Sequence, residues 1–176
     1  MSRDTSTISH YVRTLIIAFA FISIQGTFTS QPSHATTTSG SAAVEILQLI
    51  QISEVQGMDF GTILTNNGLA DTISLSTAGN LTAGSSSSHS GSISRSGQFS
   101  ANGTPNSTLS ISFQDAILSG GGSTITVSNF THNAGATPTL DASGTLIFNV
   151  GADLTLSENQ AVGVYSGSYQ ITINYQ

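Results

Sequence analysis

The chain has 176 residues and a mass of 18.0 kDa, which suits one domain, or a targeting segment followed by one smaller domain. Only 7% of the residues are charged, Lys, Cys and Trp are absent, and 53 residues are Ser or Thr. These counts argue against nucleic-acid binding, because almost nothing could neutralise phosphates, and they exclude disulfides and cysteine-ligated metals. The apolar fraction of 38% argues against a disordered chain.

Residues 1–35 have the pattern of a secretory signal peptide, which begins with a basic region. The apolar run Leu15–Ile24 is too short for a bilayer core, which needs about 20 residues. Small residues then stand at Ser33 and Ala35, the positions that signal peptidase prefers. We expect cleavage after Ala35, with an earlier cut near Ser30 as an alternative and a retained membrane anchor as a less favoured one. The mature protein would then be exported to the periplasm, cell surface or medium, without a membrane span.

The expected mature chain, residues 36–176, is acidic and almost free of cations. It holds eight carboxylates, and Arg95 is its only basic side chain besides histidine, which gives a net charge of −7. So few charges for its size produce little repulsion between copies. We therefore expect a homo-oligomer, or assembly with other surface subunits.

The first element of the mature chain is predicted at Ala43–Ser53. This segment has apolar residues at both odd and even positions, and three Ile and one Val lie within nine residues. The pattern favours a strand buried on both faces. The spacing also fits one face of a short helix, which is the alternative.

Alternation of apolar residues with Ser or Thr then dominates the chain and predicts strands with one buried face. The alternating segments are Thr72–Ser76, Thr108–Phe113, Thr124–Ser128, the run with Leu146, Phe148 and Val150, and its continuation with Leu154 and Leu156. Between the first two segments, residues 77–98 hold few large apolar side chains, and we expect a long exposed loop there with a weak edge strand around Ile93. The expected fold of residues 36–176 is a single all-β domain, an immunoglobulin-like two-sheet antiparallel sandwich of seven to nine strands.

The last fourteen residues predict one long strand with fully segregated faces. The face that we expect to be buried, and to serve as an assembly strand, carries Gly163, Tyr165, Gly167, Tyr169, Ile171, Ile173 and Tyr175. The simpler alternative is a sandwich that closes on an alternating strand whose tyrosines fill the core.

Two resemblances accompany this ending. A Gly fourteenth from the end and a Tyr next to last, here Gly163 and Tyr175, resemble the closing motif of chaperone–usher fimbrial subunits. That resemblance implies a strand that a periplasmic chaperone pairs with, although the chain lacks the Cys pair of many such subunits. The motifs Phe60–Ile63 and Gly151–Leu156, followed by this ending, resemble a bacterial secreted pilin-like β-domain family of unknown function.

Residue patterns for catalysis or metal binding are weak. His89 and His132 are the only histidines of the expected mature chain, and no G-x-S-x-G sequence occurs. The carboxylates are scattered, no calcium-loop spacing occurs, and a phosphate loop of the Walker type needs a Lys. We therefore expect no catalytic, cofactor-binding or metal-binding residue and no cofactor.

The sequence thus favours a secreted, non-catalytic structural subunit, fimbrial or pilus-like, of the bacterial cell surface. The alternative is a monomeric surface or periplasmic module that binds a glycan or host ligand through the Thr77–Gln98 loop. A small hydrolase is a distant third hypothesis.

Overall fold

The computed structural model describes residues 34–66 and 68–176. Residues 34–43 are exposed and have no regular secondary structure. Val44–Gln176 form one compact unit. The predicted signal peptide, apart from His34 and Ala35, lies outside the described residues.

The described residues are all-β, as predicted, with twelve strands and no helix. Accordingly, no helix in this part of the chain is long and apolar enough to cross a membrane. The strands are β1 Gln51–Gln56, β2 Ile63–Thr65, β3 Asp71–Leu75, β4 Leu81–Thr82, β5 Ser87–His89, β6 Gly97–Asn102, β7 Leu109–Gln114, β8 Ala116–Gly120, β9 Ser123–His132, β10 Thr145–Leu156, β11 Tyr165–Ser166 and β12 Gln170–Tyr175.

The twelve-residue strand β10 organises the main sheet. Its first half pairs with β6 and its second half with β3, so these two strands lie end to end along one edge of β10. The other edge pairs with β9, and the antiparallel order continues through β8 to β11. This eight-stranded sheet curls into a half-barrel.

A second layer covers one half of this sheet. Strands β7 and β12 pair over six residues as a separate two-stranded sheet. Only Asp115 separates β7 from β8, and only Gly167–Tyr169 separate β11 from β12. The chain therefore passes directly between the second layer and the main sheet at both places, from β7 to β8 and from β11 to β12.

The core consists of two clusters that follow this division. One lies against the second half of β10 and contains Ile73, Ala116, Ile125, Val127, Ala152, Leu154 and Leu156. The other, which β7 and β12 cover, contains Phe99, Ala101, Leu109, Leu140, Phe148 and Val150. Even-numbered positions of β10 from Phe148 to Leu156 are all buried, so the alternation in the sequence correctly predicted the inner face.

The structure corrects three expectations about these elements. The predicted buried strand Ala43–Ser53 is neither a strand over that length nor a helix: residues 43–49 are exposed without secondary structure, and β1 begins at Gln51. β1 is an edge strand paired only with β6, and all six of its residues are exposed. Of the apolar residues in Ala43–Ser53, Ile50 is half-buried against the core cluster that contains Phe99, and the others are exposed.

The second correction concerns the Thr77–Gln98 loop, which contains regular structure. It holds β4 and β5, the latter paired with β2, and Arg95 forms an isolated antiparallel bridge with Asp59. The third concerns the predicted long closing strand, which is broken into β11 and β12 because its two ends pair with strands of different sheets. The twelve strands lie in three sheets rather than in two.

Candidate functional site

An open groove of about 720 Å³ lies over the half of the main sheet that β7 and β12 do not cover. Its two long walls are residues 58–63 and residues 161–167. Its floor is apolar because it belongs to the inner face of β8, β9 and β10. The floor residues are Leu118, Ile125, Leu154 and Leu156.

The wall at residues 161–167 carries exposed apolar side chains. Val162 is 83% and Val164 is 89% exposed, and apart from the segment Val44–Leu49 they are the most exposed large apolar residues of the described chain. Only Tyr165 and Ser166 of this wall pair with a strand, namely β8. The wall therefore presents unpaired backbone and solvent-facing valines beside an apolar floor.

Buried Gln160 holds this wall in place. Its side-chain amide donates hydrogen bonds to Ser123 Oγ at 3.0 Å and to the Tyr165 hydroxyl at 2.9 Å. The Tyr165 hydroxyl in turn donates to the Ala161 carbonyl at 2.6 Å. Gln160 Oε1 accepts from the Ser157 backbone amide at 3.3 Å. A single side chain thus ties the turn before the wall, the wall itself and β9 together.

The opposite wall, residues 58–63, is fixed by side-chain packing and local hydrogen bonds. Met58, Phe60 and Ile63 pack against the core cluster beneath the groove. The Asp59 carboxylate accepts a hydrogen bond from the Gly61 amide at 2.8 Å, and the Asp59 backbone pairs in both directions with Arg95. The core cluster and the backbone of Arg95 therefore hold this wall in place.

The two walls are not bonded to each other. No hydrogen bond found among the described residues joins residues 58–63 to residues 161–167. Neighbouring strands in a sheet lie about 4.8 Å apart and share backbone hydrogen bonds. The groove thus lies over buried core side chains, between two stretches of chain that are not paired with each other.

The structure divides the predicted assembly residues between two places. Gly163, Tyr165 and Gly167 belong to the groove wall. Ile171 and Ile173 lie on the inner face of β12 and pack into the core cluster under the second layer. The alternation predicted from the sequence is present, because Gln170–Tyr175 alternate between exposed and half-buried.

The two other tyrosines of this run have contrasting surroundings. Tyr169 lies at the break between β11 and β12, where its ring stacks on Phe130 with 5.1 Å between ring centres. Its hydroxyl is buried and has no hydrogen-bond partner. Burial, and to a smaller extent the charge of Glu54, raise the pKa of Tyr169 to about 12. Tyr169 is thus half-buried and packs against both core clusters.

The hydroxyl of Tyr175, by contrast, is fully used. It donates to the Gln48 carbonyl at 2.5 Å and accepts from the Thr104 amide at 2.8 Å. The Gln48 amide also donates to Thr104 Oγ1 at 2.6 Å. Tyr175 therefore fixes the chain just before β1 and takes no part in the groove.

Two glycines of the closing run allow close approach of neighbouring backbone. A Cβ added to Gly167 would lie 2.5 Å from the Ile117 carbonyl oxygen, and one added to Gly163 would lie 2.8 Å from Gly121 Cα. Such contacts require backbone movement. Substitutions at Val162 or Val164 therefore probe the groove surface more cleanly than substitutions at these glycines.

Several titratable residues form hydrogen bonds with neighbouring residues. His132 Nδ1 accepts from the Ala134 amide at 3.3 Å, whereas the buried Nε2 of His89 has no hydrogen-bond partner among the described residues. Hydrogen bonds from Ser87 and the Ser86 amide lower the pKa of Asp71, and those from Ser143 and the Thr145 amide lower the pKa of Asp141. Within the described residues no group of three or more His, Cys, Asp or Glu could hold a metal ion.

Sequence reasoning located one wall of the groove and missed the groove itself. Gln160 carried no recognisable signal, because a polar residue beside a turn is ordinarily exposed. Val162 and Val164 flank Gly163 and lie on the face of the predicted closing strand opposite to the one expected to be buried. Apolar residues on that face could have marked this part of the chain. The opposite wall was found only as part of the Phe60–Ile63 motif.

The described residues thus form an all-β domain with an open groove beside one half of its main sheet. A family model described as a domain of unknown function, DUF4402, matches residues 50–175. The chain therefore belongs to the DUF4402 family. No curated protein and no solved structure gives a significant match to the chain.

Proposed function

We propose that this chain is a secreted, non-catalytic structural subunit of the bacterial cell surface, fimbrial or pilus-like, which assembles with copies of itself. The observation that carries the proposal is the open groove, along one wall of which Val162 and Val164 are exposed to solvent. The transfer of apolar surface out of water lowers the free energy, and large exposed apolar patches are typical of interaction sites. The groove is therefore best explained as the site of a contact between subunits.

Composition supports the same proposal. The expected mature chain has a single Arg and no Lys, so that few charges oppose the approach of another copy. Export follows from the signal-peptide pattern of residues 1–35. A periplasmic chaperone would pair with the closing strand that begins at Gly163, as the resemblance to fimbrial subunits implies.

We also infer that the domain is a variant of the immunoglobulin-like sandwich. The supporting observation is the layer of β7 and β12, which packs across the core from β6 and β10. Over the other half of the main sheet this second layer is incomplete, and the groove occupies the gap.

The second candidate, a monomeric module that binds a glycan or host ligand through Thr77–Gln98, has less support. Several hydroxyls of this segment are engaged within the chain: Ser87 bonds to Asp71, Ser92 accepts from the Thr62 amide, and Ser94 donates to the Gly79 carbonyl. Hydroxyls used in this way contribute little to recognition of a sugar.

Electron microscopy of the exported protein tests the proposal. We expect filaments or chains of globular subunits, and we expect Val164→Asp to abolish them, because it places a charge beside the apolar floor. Ile147→Asp is the matched control, since Ile147 is 62% exposed on β10 and does not line the groove. Isolated globular particles in the unsubstituted protein would contradict the proposal and favour the monomeric module.

A further inference from the structure

Strand β1 ends the main sheet on one side, and only one of its two edges is paired. Its partner is β6, and among the described strands none pairs with its other edge. All six residues of β1 are exposed. A free edge presents unpaired backbone N–H and C=O groups, which are a template for pairing with another chain.

The exposed segment before β1 lengthens this edge. The Gln48 amide donates to Thr104 Oγ1 at 2.6 Å, and three residues later Gln51 pairs with Asn102. Residues 48–51 therefore continue the line of β1 beside the same neighbouring segment, residues 102–104.

The backbone bonds of Gln48 also show which groups are free. Its amide and its carbonyl are both used within the molecule, the carbonyl by the Tyr175 hydroxyl. In a strand, the backbone groups of successive residues point to opposite sides. Those of Leu47 and Leu49 therefore point to the free side, where a second strand would meet them.

This edge lacks the usual protection against pairing. Proteins protect free edges with Lys, Pro, bulges or a covering segment. Residues 44–56 contain no Lys, Arg or Pro, and their only charges are Glu45 and Glu54. The bulge of β1 lies between Glu54 and Gln56, at the far end. The eight residues between the two carboxylates are uncharged, and five of them are Ile or Leu.

Two copies of this edge complement each other when they run antiparallel about Leu49. Ile46 then faces Ile52 of the second copy, and Glu45 faces Ser53, so that no carboxylate faces another. Directly opposite aliphatic side chains stabilise a pair of strands, whereas opposite like charges destabilise it. The free backbone groups of Leu49 meet those of the same residue in the second copy.

We propose that Val44–Glu54 of two copies pair as antiparallel strands across a two-fold axis at Leu49, which joins their main sheets edge to edge. The proposal rests on the proposed self-assembly and names one of its contacts. A two-fold contact uses the same surface on both copies and closes at two. Longer assemblies need a second contact, for which the groove wall offers exposed Val162 and Val164.

Disulfide formation by Leu49→Cys in the exported protein tests the pairing, and the absence of native Cys makes the link specific. The Cα atoms of a hydrogen-bonded antiparallel pair lie about 5.5 Å apart, a separation that a disulfide spans. We expect a disulfide-linked dimer after mild oxidation.

Val44→Cys is the matched control, since Val44 is 83% exposed and Leu49 is 80% exposed. In the proposed register Val44 faces Glu54, so the two copies of position 44 lie about 34 Å apart along the strands. We expect at least tenfold less linked dimer from Val44→Cys than from Leu49→Cys.

A second measurement compares Leu49→Lys with Val44→Lys by sedimentation. Leu49→Lys places two ammonium groups opposite each other at the axis, and we expect it to weaken dimerisation at least tenfold. Val44→Lys faces Glu54 of the second copy and should weaken dimerisation less than twofold. The thermal midpoint of the monomer should stay unchanged in both variants, because both side chains are exposed in the single copy.

The outcomes separate this inference from the proposed function. Larger assemblies in which Leu49→Cys links no better than Val44→Cys would overturn the pairing and leave self-assembly standing. Linked dimers without larger species would support the pairing and overturn the fimbrial or pilus-like assembly. A monomer at every concentration would overturn both proposals.

Discussion

Gln160 and Tyr169 are both polar side chains in apolar surroundings, but the structure treats them differently. The amide of Gln160 is buried with partners on a turn, on β9 and on Tyr165. The hydroxyl of Tyr169 is buried without a partner. Buried polar groups cost free energy unless they are hydrogen-bonded. Gln160 therefore stabilises the groove wall through its polar atoms, whereas Tyr169 contributes through its ring.

Gln160→Ala should lower the free energy of unfolding by about 2 kcal/mol, because it leaves buried partners without hydrogen bonds. Gln170→Ala is the matched control at an exposed position of β12 and should change it by less than about 0.5 kcal/mol. Urea unfolding measures both. Equal losses in the two variants would show that the Gln160 network does not hold the wall.

Tyr169→Phe should leave stability at neutral pH unchanged or raise it by up to about 1 kcal/mol, since no hydrogen bond is lost. At high pH the two proteins should diverge. The pKa of Tyr169 rises from its usual 10 to about 12 on folding, so the unfolded chain loses the proton first. Stability from this group is complete below pH 10 and disappears as pH rises through 12.

The urea midpoint of the unsubstituted protein should therefore fall between pH 10 and pH 12 more steeply than that of Tyr169→Phe. The other tyrosines are common to both proteins and cancel in the comparison. Parallel curves for the two proteins would mean that the Tyr169 hydroxyl is not buried in the folded state.

At the scale of elements, β12 shows how closely a simple alternation can describe a strand. Ile171 and Ile173 face the core, and Thr172 and Asn174 face outward, as their positions in the sequence indicate. The same pattern did not reveal the break at Gly167–Tyr169, because an alternation of period two continues across a change of sheet. Pairing with two different partner strands, which is a property of the tertiary structure, decides where the run divides.

Ile171→Ala should cost about 2 kcal/mol of unfolding free energy, toward the lower end of the range for buried aliphatic residues because Ile171 is only half-buried. Thr172→Ala, the neighbour on the outer face, should cost less than about 1 kcal/mol, chiefly through reduced β-propensity. Chemical denaturation of the two variants gives the comparison. Similar losses at both positions would contradict the assigned faces of β12.

The segment Ala43–Ser53 shows the opposite relation between pattern and structure. Its apolar residues at both parities predict burial, yet eight of the eleven positions precede β1, and seven of these eight, residues 43–49, are exposed. Sequence patterns describe what a side chain requires, and they do not say whether the same molecule supplies it. The groove was equally hard to foresee, because its walls come from parts of the chain about a hundred residues apart.

At the scale of the whole molecule, the all-β class and one inner face of the main sheet followed from alternation alone. The number of sheets did not, since short strands such as β2, β4 and β5 have too few residues to show a period. The wall at residues 161–167 was anticipated as part of an assembly strand, but the partition of that strand between groove and core depends on long-range pairing.

Export predicts a definite mature chain. Protein recovered outside the cytoplasm should begin at or close to Thr36, because Ser33 and Ala35 form the expected cleavage site. Intact-mass measurement of the exported protein identifies the first residue. Full-length chain recovered only from the cytosol would contradict export and, with it, a role at the cell surface.

Sedimentation velocity of the exported protein over a wide concentration range tests self-assembly most directly. The account predicts species at several multiples of the subunit mass, which increase with concentration and are lost in Val164→Asp but retained in Ile147→Asp. A single species at the subunit mass, at every concentration, would contradict it.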